Sequence, residues 1–268
     1  MTTVVIPPPA TRWVYIMQLI IAVTDAFSQW LNLDLPTLPT EHGGTLGRAS
    51  LRTGTQSLAW QGGLSTGEGG SATAIMLEAH SRYTILLPFS STPSQDELQK
   101  VLIERWAKEI AHLAVTRGKI RNEEMEELFR QFLLSPIEVR WYRNHDARMQ
   151  AHLNDAEQAL LQTLEEYGLQ QLDEDEAITL GMQINQQAKR IERHGASSLP
   201  FYPMEHFLDD ALYRFASQLS AYRYPDTPPG DFPNPYQATQ RRPPPPQDGA
   251  APNNVVSLER FVRDREED

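Results

Sequence analysis

Hydrophobic positions along this chain switch between two spacings, and the switches outline its elements. Trp13-Val14-Tyr15-Ile16-Met17 has strand composition, and the apolar series continues through Leu19, Ile20, Val23, Phe27 and Leu31 at helical intervals. That pattern predicts a strand running into a buried helix. Residues 72–79 and 83–89 are nearly unbroken apolar runs flanking His80-Ser81-Arg82. They predict an antiparallel pair joined by a turn, the second strand stopped by Pro88, which has no N–H for a ladder.

The pattern then becomes helical. Ser94 with Glu97 has the form of a capping box, and Leu98, Val101, Leu102, Trp106, Ile110 and Leu113 follow at helical spacing until Gly118. Asn122 can cap a second helix, with Met125, Leu128, Phe129 and Phe132 inward, acidic residues near its positive end, and Pro136 as its stop. Ile137-Glu138-Val139-Arg140-Trp141-Tyr142 alternates like a strand. Three more helices are expected at about 146–167, 174–194 and 204–219, separated by Gly168, by Gly195 and by Pro200 with Pro203.

Residues 41–73 interrupt this regularity with repeated Gly, Ser and Thr, including Gly43-Gly44, Gly62-Gly63 and Gly69-Gly70. No Gly-Lys-Ser/Thr occurs in it, and no Gly-x-Gly-x-x-Gly joins a strand to a helix, so a phosphate loop is not indicated. It is expected to be a long hairpin or mobile loop, with Leu58-Ala59-Trp60 as a short strand inside it. The fold class is α+β: a small, mainly antiparallel sheet packed by several helices.

Composition changes near Tyr224. Ten of the 20 prolines lie between Pro225 and Pro252, including the run Pro243 to Pro246. The expected organisation is a body over 1–224, a disordered Pro-rich linker over 225–253 and a short amphipathic peptide over 254–268. In that peptide Leu258, Phe261 and Val262 share one face if helical, an apolar stripe suited to docking on a partner or back on the body.

A net charge of -11 disfavours direct binding of nucleic acid, which needs clustered Lys and Arg. The chain has no cysteine, which excludes disulfides, thiolate metal sites and cysteine nucleophiles. The start Met1-Thr2-Thr3-Val4 has no basic stretch of the secretory type, and the apolar segment from Trp13 to Ala22 is too short to span a bilayer. A cytoplasmic protein without cofactor, metal or membrane contact is expected.

The order of Trp60, a strand pair ending Leu86-Leu87-Pro88, a long helix, a polar strand and Asn154-Asp155 resembles a family of uncharacterised domains from bacteria, phages and mobile elements. Members carry a Trp-containing segment, two strands of which the second ends in proline, and a motif near Asn-Arg-Ser-x-x-Gly-x-Met-Asn-Asp opening a helix. Here that stretch runs from Asp146 to Asp155. Asn154 and Asp155 match, Ala151 replaces the glycine, His152 replaces the small residue, and the arginine is displaced by one. The resemblance spans about Trp13 to Leu219 and implies a fold without implying an activity.

The richest polar cluster surrounds that stretch. Arg148, His152 and Asp155 fall on one helical face, a spacing that allows His152 as a base steered by Asp155 with Arg148 holding an anion. The same spacing describes an ordinary solvated face. His145 could join His152 and Asp155 at a metal only with further ligands, and no metal motif is present. Lys189, Arg190, Arg193 and His194 form a second basic group, at an expected helix end. Three function classes remain: a non-enzymatic protein-binding accessory factor of a bacterial or mobile-element system, an enzyme using Arg148, His152 and Asp155 on a phosphate-bearing or small polar substrate, and an acidic inhibitor that mimics nucleic acid.

Overall fold

The computed structural model describes residues 17–40, 47–54, 56–67, 70–120, 122–134, 137–190 and 200–215. Five strands form one sheet: β1 (Met17–Val23), β2 (Ser57–Thr66), β3 (Ala72–Glu78), β4 (Thr84–Phe89) and β5 (Ile137–Arg143), in the order β4-β3-β2-β1-β5. The α+β class holds, and the sheet is mixed rather than mainly antiparallel. β2, β3 and β4 form an antiparallel meander, whereas β1 runs parallel to both β2 and β5. Short links permit the meander; the long connections leading to β2 and β5 return the chain to the same end of the sheet, which makes those pairings parallel.

Among the described residues six helices cover the sheet: α1 (Asp25–Trp30), α2 (Gln95–Thr116), α3 (Asn122–Leu134), α4 (Ala147–Tyr167), α5 (Glu174–Gln186) and α6 (Pro203–Phe215). Side-chain alternation divides the strands between two cores. Leu19, Ile21, Val23, Leu58, Trp60, Ala74 and Met76 join residues of α1, α2, α3 and α6 on one face. Ala22, Ala59, Ile75, Leu77 and Leu86 join α4 and α5 on the other. Trp60, fully buried, meets Trp106 and Phe207 edge-on at 6.2 and 6.3 Å, and Phe207 stacks on Tyr83 at 3.8 Å. These rings tie α2 and α6 to the sheet's centre. No described helix is long and apolar enough to cross a membrane.

Several expectations need correction. Within the described residues the first strand is Met17–Val23, Trp13 to Ile16 lying outside them, and the helical part is only α1, capped by Thr24, whose hydroxyl accepts from Phe27 N–H at 3.3 Å. A central strand buried on both faces loses its alternation, so its apolar series mimics a helix. The Gly-rich segment contains β2, a ten-residue strand next to the middle of the sheet, where a loop with a three-residue strand was expected. Pro88 lies inside β4 opposite Thr73; β4 is at the sheet edge, where a missing N–H is tolerated. The helix expected to reach His194 ends at Gln186, and Gln187 is extended. Lys189 instead exchanges backbone hydrogen bonds with Phe201.

Helices α2, α4 and α5 start at polar caps, whereas Asn122, expected as a cap, is the first residue of α3. Asp146 caps α4 and Gly168 closes it in the left-handed conformation at φ 63°. Ser94 caps α2, and Asp173 with Glu176 completes a capping box on α5. The residues from 216 onward, including the linker and the terminal peptide, lie outside the described ones.

Candidate functional site

The turn between β3 and β4 positions the densest group of buried polar side chains. Glu78, at the end of β3 and 2% exposed, turns its carboxylate back onto that turn. One oxygen accepts from the Thr53 hydroxyl and His80 N–H; the other accepts from Ser81 N–H at 2.6 Å and the Ser81 hydroxyl at 2.7 Å. The Thr53 hydroxyl in turn accepts from Ala59 N–H in β2. A buried carboxylate with four donors is fully accounted for, and it fixes the turn tightly enough to hold Arg82 at φ 59°. That conformation is rarely adopted by a side-chain-bearing residue.

Arg82 brings the expected site residues together. Its charge interacts with Glu78, Asp146 and Arg148, and its backbone carbonyl accepts from Lys189 Nζ at 3.3 Å. Half-buried His152 on α4 is held down to about 4, first by burial and then by the charges of Lys189 and Arg82. Lys189 is itself lowered to about 8, chiefly by burial. The expected face of Arg148, His152 and Asp155 therefore exists, with Arg82 and Lys189 packed behind it.

The chemistry foreseen for that face changes. Asp155 is exposed, and no hydrogen bond joins its carboxylate to His152 among the described contacts. A base needs an orienting partner and a proton affinity near neutrality. His152 has neither. Asp146 serves as the cap of α4, its carboxylate accepting from Arg148 N–H at 3.0 Å and Leu51 N–H at 2.8 Å. His145 is exposed, and among the described residues no group of three or more His, Asp or Glu side chains could hold a metal ion. Asn154 and Asp155 sit well inside α4, where Asn154 accepts from Gln150. Of the second basic group, Lys189 reaches the Arg82 turn and Arg190 is exposed, while Arg193 and His194 lie outside the described residues. So do Leu258, Phe261 and Val262.

The buried groups that pattern reading missed share a signal: a charged residue interrupting an apolar run. Glu78 and Arg82 interrupt the β3–β4 pair. On α6, Asp210 and Arg214 form a buried ion pair at 2.9 Å, and Arg214 also donates to the carbonyls of Gly54 and Ser57. Burial pushes Asp210 up to about 6. That pair anchors α6 to the start of β2.

Two concave surfaces lie elsewhere. An open depression of about 650 Å³ beside the carboxyl ends of β1 and β5 is lined by Asp25, Ser28, Gln29, Asn32, Asp34 and Arg143, and the Arg143 Nε already donates to Leu35 O. A smaller one of about 330 Å³ lies among α2, α5 and α6.

The two sheet edges differ. β4 is covered by α5, where Asn185 accepts from Thr84 N–H and donates to Thr84 C=O, both at 2.7 Å. On β5 the outward groups of Arg143 pair with Pro36 and Leu38, in a parallel bridge at Thr37, while Asn144 N–H points inward to Val23. Backbone groups alternate along a strand, so Ile137, Val139 and Trp141 also face outward, and they have no ladder partner among the described residues.

Compared with models of protein families, with curated proteins and with solved structures, the chain matches none closely enough to show a relationship.

Proposed function

We propose that this chain is a non-enzymatic protein-binding accessory factor of a bacterial or mobile-element system, and that it takes an extended segment of its partner along the free edge of β5. The observation that carries this reading is the row of outward N–H and C=O groups at Ile137, Val139 and Trp141, which have no partner among the described residues. An open edge is a template for another strand, and proteins that do not use one cover it or break it. Among the described residues only the Arg143 end is taken, by the 36–38 segment, in the parallel geometry that an added strand would continue.

Backbone hydrogen bonds contribute about 1 kcal/mol each net, so such a ladder sets orientation while side chains of the partner supply selectivity. Glu138 and Arg140 project from the same face of β5, pair at 2.9 Å and are half exposed, a polar rim beside that edge. The catalytic reading has less support, because no carboxylate orients His152 among the described contacts.

The test is Val139→Pro. Proline at an outward-facing edge position removes a donor offered to the partner and leaves the bonds to β1 intact. Affinity capture from the native host should lose the partner while the melting temperature stays within a few degrees. Unchanged capture would reject the edge. Capture lost only in the Leu258→Asp, Phe261→Asp variant would move the binding surface to the terminal peptide.

A further inference from the structure

Three arginine side chains are buried among the described residues; two of them pair with a carboxylate, Arg105 leaving only its Nη2 without a partner. Arg105, 3% exposed, donates through Nε to Glu109 at 2.6 Å and through Nη1 to Glu174 at 3.4 Å. Arg214 donates to both carboxylate oxygens of Asp210 and to backbone carbonyls. Arg82 alone of the three donates to no carboxylate. It is 6% exposed, and its Nε and Nη1 are buried without any hydrogen-bond partner.

The absence of a partner is not a shortage of nearby negative charge. Glu78 and Asp146 both face Arg82 electrostatically. Their oxygens are occupied instead by Thr53, His80, Ser81, Leu51 and Arg148, mostly through backbone N–H groups that define the turn and the α4 cap. Neither carboxylate can turn to Arg82 without undoing those elements. A buried guanidinium keeps its charge at any ordinary pH, and leaving its donors unmatched is strongly unfavourable. An acceptor from outside the fold would relieve this.

The surroundings specify its character. Lys189 Nζ lies against the Arg82 carbonyl, Arg148 is in electrostatic reach of the guanidinium, and half-buried His152 sits beside both Lys189 and Arg82. Three cations and an imidazole converge from three segments, the β3–β4 turn, α4 and the stretch after α5, with the exposed carboxylate of Asp155 acting on Lys189 and His152. The turn is rigid and its residue adopts a conformation that glycine would favour, and such positions cluster at binding sites.

We propose that Arg82, with Lys189 and Arg148, forms a binding site for one small oxyanion, a carboxylate or phosphate group, received by the unpaired guanidinium nitrogens. This site is independent of the β5 edge: Arg82 joins β3 to β4, on the far side of the sheet order from β5. Planar oxyanions suit guanidinium donors, and cations around them retain the charge. His152, neutral at physiological pH, adds a donor without adding repulsion among the cations.

The test uses the full chain at fixed ionic strength, with inorganic phosphate and acetate as separate probes and chloride as the reference. Isothermal calorimetry and melting temperature are read for wild type, Arg82→Gln, Lys189→Gln and Lys108→Gln, the last replacing an exposed lysine of α2. Saturable binding of phosphate or acetate to wild type is expected, at least tenfold weaker in Arg82→Gln, weakened in Lys189→Gln and unchanged in Lys108→Gln. Preference for phosphate over acetate identifies a phosphate-bearing ligand, and the reverse a carboxylate. If Arg82→Gln does not fold, the contrast between Lys189→Gln and Lys108→Gln decides the question. Absence of saturable binding, or equal binding by all variants, overturns the proposal. Because none of these substitutions touches β5, failure here leaves the partner-capture test unaffected.

Discussion

The two edges of the sheet are treated in opposite ways. At β4 a whole helix lies along the edge, and one buried Asn185 satisfies both backbone groups of Thr84. At β5 only Arg143 is paired, by a three-residue segment, and the outward groups before it face no described strand. Both edges belong to the same sheet and face the same risk of unwanted pairing. Thr84 is sealed by a dedicated side chain, whereas the outward groups of Ile137, Val139 and Trp141 have no partner among the described residues. On the proposed reading β4 is a structural edge and β5 the one a partner strand uses.

Substitutions can break that contrast, beginning with the sealed side. Asn185→Leu would leave Thr84 N–H and C=O, both fully buried, without partners. Loss of about 2–6 kcal/mol is expected in urea unfolding. Arg140→Pro comes next, because the groups of Arg140 point inward to β1 opposite Ile20. It should destabilise by about 2–3 kcal/mol, whereas Val139→Pro, one residue away and facing outward, should change stability by less than about 1 kcal/mol. Equal effects at the two positions would mean that the outward row is not free.

Position within the sheet sharpens the point further. Gly62 of β2 lies where a Cβ would meet Val23 Cγ1 at 3.0 Å and Met76 Sδ at 3.2 Å, so Gly62→Ala should cost about 1–3 kcal/mol by overpacking, read in the same urea assay. No such crowding is expected from a small substitution on exposed Glu138.

The smallest effect concerns acid. His80 and His152 are held at about 4 against an ordinary 6.5, in each case chiefly by burial. Between those values the unfolded chain takes up protons that the folded chain refuses, so stability falls as pH drops from 6.5 towards 4. Asp210, raised from 3.8 to about 6, acts the other way, since the folded state holds a proton there that the unfolded state lacks. His206 is lowered as well, and Glu109 and Asp209 are raised like Asp210, so the contributions oppose one another and the share of His152 is read from its own substitution. His152→Gln should lose less stability than the wild type between pH 6.5 and 4 in urea unfolding; an identical change in the two proteins would contradict the burial of His152.

What was legible in the sequence follows from how local each constraint is. The β3–β4 pair, α2 and α4 carry their own signals: apolar runs around a polar turn, Ser94, Asp146 and Gly168. β2 could not be read that way. Gly62 and Gly63 look like loop residues, yet each is small because something presses on it: Val23 and Met76 on one face, Leu153 of α4 at 3.3 Å from a Cβ on the other. That requirement is tertiary, and local spacing carries no trace of it. The candidate site divides along the same line. Arg148, His152 and Asp155 were visible as a helical face, but Arg82 and Lys189 reach it from the turn and from the segment after α5, and only the folded chain brings them together.

The claim that β5 is the open edge is tested most directly by native-state hydrogen exchange of the isolated full-length chain, resolved at single amides. The account predicts slow exchange at Thr84 and Arg140, both hydrogen-bonded within the fold, and exchange at Val139 orders of magnitude faster. Addition of the captured partner should then slow Val139 and leave Thr84 unchanged. Protection of Val139 equal to that of Arg140 in the isolated chain would show the edge already covered, and would contradict the account.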